Sequence, residues 1–219
     1  NLADSSGFTP LGTHDGFAVG PNAVALAWNS DVPAGFSGQS LDLTANNVGV
    51  LITNTAVSDG SYQTTFDQGI SNMFTVAFWF KGTLPAYPAG VWVSKCGINP
   101  NAWQMRSQDP NAEFTMRGAG VYEIPTGQPN LDSANTVTNG TWYHFAAVFN
   151  GTASFRKVYV DGAFEGMATG NPYSVVLATM SHLMLGANQV NATNGTIANF
   201  WPGLMHDVRI YNTPLTSND

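Results

Sequence analysis

Charged side chains are scarce in this chain, at 10% of 219 residues, against about a quarter in an average globular protein. Only seven residues are basic, spread along the sequence, and fourteen are acidic, which gives a net charge of −7. Binding to phosphates draws on clustered Lys and Arg, and so does binding to anionic lipid surfaces. The composition therefore argues against nucleic acids and anionic membranes as partners.

Cysteine and long apolar runs are also lacking. Cys96 is the only cysteine, so no internal disulfide can form, and its apolar neighbours Val91 and Val93 favour a small core residue. No run approaches the ~20 apolar residues of a membrane-spanning helix, so we expect no membrane insertion. The chain begins at Asn1 without Met or a basic and then apolar leader, and we expect a processed or excised piece of an exported, extracellular or cell-surface protein.

Catalytic signatures are missing as well. The chain has three glutamates, Glu113, Glu123 and Glu165, and no two of them fall on one predicted strand. Retaining glycosidases need two carboxyl groups about 5 Å apart. There is no G-x-S-x-G nucleophile turn, no H-E-x-x-H zinc motif and no phosphate loop. We therefore expect a protein that is not an enzyme, and the third alternative is a polysaccharide-degrading enzyme with carboxylates from separate strands.

A strand pattern is clearest between Thr141 and Met167. Trp142–Phe149 alternates with a period of two, and both of its faces are largely apolar, which predicts a strand between two layers. Asn150-Gly151 predicts a turn into a second strand, Phe155–Val160. Asp161-Gly162 predicts a tight hairpin turn into a third, Ala163–Met167.

Further short runs predict strands along the rest of the chain, separated by Pro, Gly and Asn turns. They are 17–19, 40–43, 48–52, 74–81, 91–95, 103–106, 113–117, 122–124, 182–185 and 204–211. The polar stretch 53–69 predicts a long loop. We therefore predict one all-β domain over 1–219, a sandwich of two antiparallel sheets. Its expected core is Phe74, Val76, Phe78, Phe80, Tyr143, Phe145, Phe149, Val158, Val160, Val208 and Ile210.

Several motifs carry a family resemblance. They are D-S-S-G at 4–7, W-x-H-x-A at 142–146, V-Y-V-D-G at 158–162 and G-x-M-x-x-V-R-I-Y-N at 203–212. With them, nearly the whole chain resembles the laminin-G-like, concanavalin A-like jelly-roll domain of the lectin/glucanase superfamily, as in bacterial surface and secreted proteins. The glucanase strand signature E-x-D-x-x-E is absent, as is the Arg-plus-Q-x-H pattern of lyases with this fold.

The resemblance implies a jelly roll that serves as a non-catalytic extracellular binding module, with carbohydrate or glycoprotein as the ligand class. The alternative is a self-associating structural or adhesive subunit of a surface, a filament or a virus, since low charge and edge strands suit packing between copies.

Aromatic rings in loops are the usual platforms for sugars, because a pyranose face stacks on a ring. The candidates for ligand binding are Tyr87, Trp92, Trp103, Tyr122 and Trp201, with Tyr173 beside them. Each of these rings can instead fill the core. His144 and His206 both lie on strand patterns among apolar neighbours, His206 sharing a face with Leu204, Val208 and Ile210, and we interpret both as structural.

Calcium is the one cofactor that the sequence motivates. Ca²⁺ needs hard oxygen donors, and Asp4, Asp15, Asp59 and Asp207 lie in or beside predicted turns. The resemblance implies one structural Ca²⁺ between the opening turn at Asp4 and the last strand at Asp207. The family's closing I-D-E is Met-His-Asp here, so imidazole replaces the first carboxylate. The alternative is that these aspartates cap turns.

Overall fold

The computed structural model describes residues 16–23, 25–45, 47–52, 73–84, 90–95, 103–108, 111–116, 130–153, 155–169, 182–190 and 196–216. Within those residues every regular element is a β-strand. In chain order the strands are β1 Gly16–Val19, β2 Ala27–Asn29, β3 Ser40–Asp42, β4 Gly49–Ile52, β5 Met73–Gly82, β6 Val91–Lys95, β7 Trp103–Gln108, β8 Asn111–Met116, β9 Asn130–Asp132, β10 Tyr143–Asn150, β11 Phe155–Val160, β12 Ala163–Thr169, β13 Leu183–Leu185, β14 Asn188–Gln189, β15 Ile197–Ala198 and β16 Gly203–Tyr211.

Two seven-stranded antiparallel sheets form a sandwich. Sheet A has the order β1-β4-β13-β6-β7-β8-β9, and sheet B has the order β12-β11-β10-β5-β16-β3-β2; β14 and β15 pair as a separate ribbon. This confirms the predicted all-β jelly-roll sandwich. The described residues contain no helix of the length and apolarity that a bilayer crossing needs.

Every predicted strand within the described residues is present, with ends shifted by a few residues at most. The predicted strand at 122–124, the predicted loop at 53–69 and Cys96 lie outside the described residues. Four strands of two or three residues, β2, β9, β14 and β15, were not predicted. Runs that short contain too few alternations to be distinguished from loops.

Aromatic rings from both sheets fill the core. Phe80 stacks on Trp92 at 4.2 Å between ring centroids, and Phe145 packs 5.6 Å from Phe78. The predicted core residues are fully buried except three, Tyr143, Val208 and Ile210, which are half-buried and pack against the core margin. The core prediction is therefore confirmed at its centre.

Trp201 enters the core because glycine lies beneath it. A Cβ atom at Gly203 would lie 2.2 Å from the Trp201 ring, far inside any tolerated contact, and one at Gly82 would lie 2.8 Å from it. The Trp201 indole donates its N–H to the carbonyl of Thr83 at 2.8 Å, so its polar atom is satisfied. Residues 82 and 203 are paired across β5 and β16, and both must be small for the ring to fit.

Strand β10 lies in the middle of sheet B, paired with β5 and β11. Its inward residues Phe145, Ala147 and Phe149 are buried against sheet A, so the predicted inner layer is confirmed. Within the described residues, no second sheet covers the other face of β10. His144 and Ala146 on that face are half-buried at the outer surface of sheet B. At one end the chain after β16 crosses this surface, where Leu215 N donates to Thr75 Oγ1 at 2.9 Å.

Strand β16 changes face in its middle. Its register against β5 shifts between His206 and Arg209, and Asp207 has a φ of +50°. Met205 before the bulge and Ile210 after it both pack on the core side, although alternation would put them on opposite faces. The prediction that His206 shares a face with Val208 and Ile210 is therefore wrong, because a β-bulge inserts one extra residue between them.

Candidate functional site

Two histidines flank one tryptophan on the outer face of sheet B. His144 on β10 and His206 on β16 are both register partners of Trp79 on β5. The Trp79 and His144 rings lie 5.2 Å apart, and all three side chains are half-buried. Since register partners share a face of a sheet, these three residues form a continuous strip, the His-Trp-His row, across three neighbouring strands.

Phe36 lies over this row from a loop. Its ring meets Trp79 edge-on at 5.6 Å and His206 at 4.9 Å, and 38% of Phe36 is exposed. The loop turns through a hydrogen bond from Phe36 N to the carbonyl of Pro33, and its Gly35 has a φ of +89°, which glycine adopts without strain. A partly exposed ring is thus presented beside Trp79.

Asp31 anchors that loop to the sheet. Its carboxylate accepts hydrogen bonds from Lys81 Nζ at 2.6 Å and from Trp142 Nε1 at 2.8 Å. The carbonyl of Asp31 accepts a third bond, from Ser40 Oγ at 2.7 Å. The bonds from Lys81 and then Trp142 hold the pKa of Asp31 below its usual value. The loop carrying Phe36 is therefore fixed at its base by charge-assisted hydrogen bonds.

At neutral pH the imidazole of His144 is uncharged. Burial lowers the pKa of His144, and this effect outweighs the nearby carboxylates of Asp161 and Asp207, which raise it; Arg209 lowers it further. The His144 backbone N–H donates to Asp161 Oδ1 at 2.8 Å. His206 Nδ1 is buried without a hydrogen-bond partner among the described residues, so the row retains one unused polar atom.

One level along the strands from the row, the outer face carries small side chains. Ala77, which is 9% exposed, and the half-buried Ala146 are cross-strand partners on β5 and β10. On one side of this pair Tyr159 and Phe164 make an edge-to-face pair at 5.8 Å. On the other side Arg209, the register partner of Ala77, bonds Asp207 at 2.8 Å, and bonds to Asp207 and Tyr211 raise the pKa of Arg209.

Three predicted sugar platforms are core residues instead. Trp92, Trp103 and Trp201 are 0%, 1% and 0% exposed, so their prediction as ligand-binding rings is wrong. Each projects between the sheets, where Trp92 contacts Phe80 and Trp103 contacts Phe74. Apolar burial of rings this large favours the core over an exposed position. The other candidates, Tyr87, Tyr122 and Tyr173, lie outside the described residues.

The described residues do not by themselves fit a calcium site. Asp207, the one metal candidate among them, has its carboxylate engaged by the guanidinium of Arg209, which occupies the place of a cation. Within the described ranges no three His, Cys, Asp or Glu side chains come together as metal ligands. Asp4, Asp15 and Asp59 lie outside these ranges. The Ca²⁺ prediction stays a prediction.

Sequence reasoning missed Phe36 and Trp79 as candidate ligand contacts. The alternation of β5 puts Trp79 on the face opposite to Phe78 and Phe80. Both faces therefore carry aromatic residues, and the pattern alone does not tell which face is the outer one. Phe36 follows Pro33 and Gly35 in a stretch without periodicity. The available signal was an aromatic residue inside a turn-forming segment between two strands.

Comparisons with known proteins place this geometry in context. A family model described as the concanavalin A-like lectin/glucanases superfamily matches residues 55–219, which include the His-Trp-His row but not Phe36. No curated protein sequence matches the chain.

Several solved structures share the fold. Domain 4 of AbnA, a GH43 extracellular arabinanase from Geobacillus stearothermophilus, solved with arabinotriose, is 20% identical with a TM-score of 0.64, covering 100% of this chain and 90% of that one. A pentraxin from Limulus polyphemus is 17% identical, TM-score 0.53, covering 67% of each chain. A structure of botulinum neurotoxin type C, whose cell entry depends on two ganglioside molecules, is 13% identical, TM-score 0.65, covering 100% of this chain and 46% of that one.

Proposed function

Because the chain belongs to the concanavalin A-like lectin/glucanase superfamily, we propose that it is a non-catalytic carbohydrate-binding module of an extracellular protein, and that the outer face of sheet B holds the ligand. The observation that carries the proposal is the His-Trp-His row with Phe36 beside it. Aromatic rings that are half-exposed on a rigid sheet offer a pyranose an apolar face, and imidazole nitrogens at the ring edge offer hydrogen bonds.

The structural neighbours support the ligand class. The arabinanase domain was solved with arabinotriose, and the neurotoxin depends on gangliosides. Arabinotriose is an oligosaccharide, and a ganglioside is a glycolipid with an oligosaccharide headgroup, so both present sugar units to the protein that binds them. An extracellular location is in keeping with the extracellular arabinanase.

The described carboxylates support binding without catalysis. Glu113 is buried in sheet A and paired with Arg106. Glu165, on β12 of sheet B, accepts hydrogen bonds from the backbone N–H and the side-chain amide of Asn135. A glycosidase acid needs a raised pKa. On the outer face the pKa of Asp31 is lowered by Lys81 and Trp142. The pKa of Asp42 is also lowered: burial raises it, but hydrogen bonds from Thr44 and Asn29 outweigh that effect.

Isothermal titration calorimetry with arabinotriose, neutral hexose oligosaccharides and a ganglioside glycan tests the proposal. We expect Trp79→Ala to weaken binding by about tenfold or more, which corresponds to about 1.4 kcal/mol. The matched control is Trp28→Ala, because Trp28 is 43% exposed on the edge strand β2, away from the row. Phe36→Ala removes an exposed loop ring and leaves the sheet intact, so it should weaken binding even if Trp79→Ala disturbs folding.

The proposal is overturned if the unaltered protein binds none of these saccharides at millimolar concentration. It is also overturned if Trp79→Ala and Phe36→Ala, both shown to be folded, bind as tightly as the control. Release of reducing sugar by the unaltered protein during incubation with these saccharides would contradict the non-catalytic part.

A further inference from the structure

We propose that the loop segment 34–39, which carries Phe36 and which we name the aromatic tip, is a lid that opens to admit the ligand to Trp79 and then closes over it. This inference rests on the proposed function and adds a conformational step that controls access to the same site. It follows from the contact between the Phe36 and Trp79 rings and from the structure of the loop around the tip.

The rings of Phe36 and Trp79 are in contact where the proposed site needs room for a ligand. Their centroids are 5.6 Å apart with 65° between the ring planes, and Phe36 also meets the His206 ring at 4.9 Å. A sugar ring between two aromatic rings needs a van der Waals contact of about 3.5–4.0 Å on each side, or about 7–8 Å in all. A ligand that packs between the rings must therefore separate them. Trp79 lies on β5, which is paired on both sides by β10 and β16, so the ring that moves is Phe36.

The aromatic tip can move because its surroundings are open. Residues 34–39 are all exposed, whereas Pro33 before them and Ser40 after them are buried. Gly35 and Gly38 lie on either side of the ring with φ of +89° and +94°, and a Cβ atom at either position would meet no atom within 4 Å. Glycine rotates about its backbone bonds with little steric restriction, and lids commonly turn about small residues in loops. The tip can therefore swing while the residues before and after it stay buried.

The base of the loop is fixed, so the lid returns to one position. The Asp31 carboxylate accepts hydrogen bonds from Lys81 on β5 and from Trp142 next to β10. The Asp31 carbonyl accepts a bond from Ser40 Oγ at the start of β3. These contacts tie the two ends of the loop to each other and to the sheet. Asp31 therefore acts on the ligand through the tip and is a positioning residue for Phe36.

The rate constants of binding distinguish a lid from a fixed wall of the site. The probe is whichever of arabinotriose, the neutral hexose oligosaccharides and the ganglioside glycan binds most tightly. Line-shape analysis of the Trp79 indole N–H resonance during a titration gives both constants. A lid that is open in about a tenth of the molecules slows association by about tenfold. We therefore expect Phe36→Ala to raise the association rate constant by about tenfold and the dissociation rate constant by more, so that Kd increases.

A fixed wall would lose only contacts in Phe36→Ala, and the dissociation rate constant alone would rise. That result overturns the lid, although the proposed function stands. A lower Kd in Phe36→Ala also overturns it, because the ring would then compete with the ligand instead of closing over it. Failure to bind any saccharide removes both proposals. Phe17→Ala is the matched control, since Phe17 is 46% exposed on β1 of the other sheet and should leave both rate constants unchanged.

A double-mutant cycle tests the role of Asp31. Asp31→Asn keeps the side-chain shape and removes the charge that pairs with Lys81, so the tip is held less firmly and we expect Kd to rise by about threefold. Lys81→Gln removes the same ion pair from the other side and should have a similar effect. In the Phe36→Ala background neither substitution should change Kd further, because Asp31 then has no ring to position. If Asp31→Asn leaves Kd unchanged, or weakens binding equally in both backgrounds, the positioning role is wrong.

Discussion

Phe145 lies in the core between the two sheets. It is 0% exposed, and its ring lies 5.6 Å from Phe78 and 5.7 Å from Trp92. We expect Phe145→Ala to lower the free energy of unfolding by roughly 3–5 kcal/mol, because the truncation loses ring burial and leaves a cavity. Urea denaturation followed by tryptophan fluorescence measures this loss. Phe164→Ala, on the surface, should change stability by less than about 0.5 kcal/mol. A loss below about 1 kcal/mol at Phe145 would contradict the central position of this ring.

His144 makes stability depend on pH. Burial holds its pKa below the value of about 6.5 that it has in the unfolded chain, so between these two values the unfolded chain binds more protons. Its contribution is therefore present above about pH 6.5 and is lost as pH falls through the folded pKa. His182, whose pKa is lowered by burial and by Lys95, acts in the same direction. The lowered pKa values of Asp31 and Asp42 act only below about pH 4.

We expect the fall in unfolding free energy between pH 7.5 and pH 5 to be smaller in His144→Gln than in the unaltered protein. Urea denaturation at several pH values measures it, and a proton NMR titration of the imidazole gives the pKa directly. If the two pH profiles have the same slope, His144 titrates in the folded protein as it does in the unfolded chain, and its burial on the outer face is contradicted.

At the scale of the elements, the bulge in β16 decides which side chains reach the outer face. Asp207 has a φ of +50°, a conformation that Asp and Asn tolerate and that a β-branched residue resists. We expect Asp207→Val to be less stable than Asp207→Asn by about 1–2 kcal/mol. Both variants lose the charged carboxylate that bonds Arg209, so their difference reports the backbone preference together with the hydrogen bond that the Asn amide oxygen can still accept from Arg209. Equal stability in urea denaturation would show that the bulge relaxes or is absent.

The same bulge shows what sequence patterns contain and what they omit. Alternation predicted β5, β10 and β16 because each has eight or more residues, enough for a period of two to stand out. It misplaced Val208 and Ile210 relative to His206, since one inserted residue reverses every later side chain. Nothing in the letters M-H-D-V-R marks that position, because the inserted residue is an ordinary aspartate.

The candidate site was harder to predict than the fold for a related reason. Tryptophan occurs six times, and composition alone makes each ring a candidate for either the core or the surface. Trp92 and Trp201 are buried because they project between the sheets, and Trp79 is half-exposed because it lies one position out of phase with Phe78 and Phe80. Only pairing between strands that are distant in sequence shows that Trp79 lies between two histidines.

At the scale of the whole molecule, the edges of the sheets bear on whether copies of the chain associate. Exposed long edge strands promote pairing between molecules. Among the residues that the structure describes, three of the four edge strands of the two large sheets, β1, β2 and β9, have three or four residues. The fourth, β12, has a register shift against β11 opposite Val158 and Tyr159. Its Glu165 is bound by the backbone N–H and side-chain amide of Asn135.

Short and irregular edges of this kind disfavour the self-associating alternative. We therefore expect size-exclusion chromatography with light scattering to give a monomer of 23.3 kDa over a range of protein concentrations. A mass that rises with concentration would contradict this. Phe164→Ala would then locate the contact, since Phe164 is the most exposed large apolar residue described and lies on β12. If that variant were monomeric while the unaltered protein dimerised, the Phe164 ring would belong to an interface between copies of the chain.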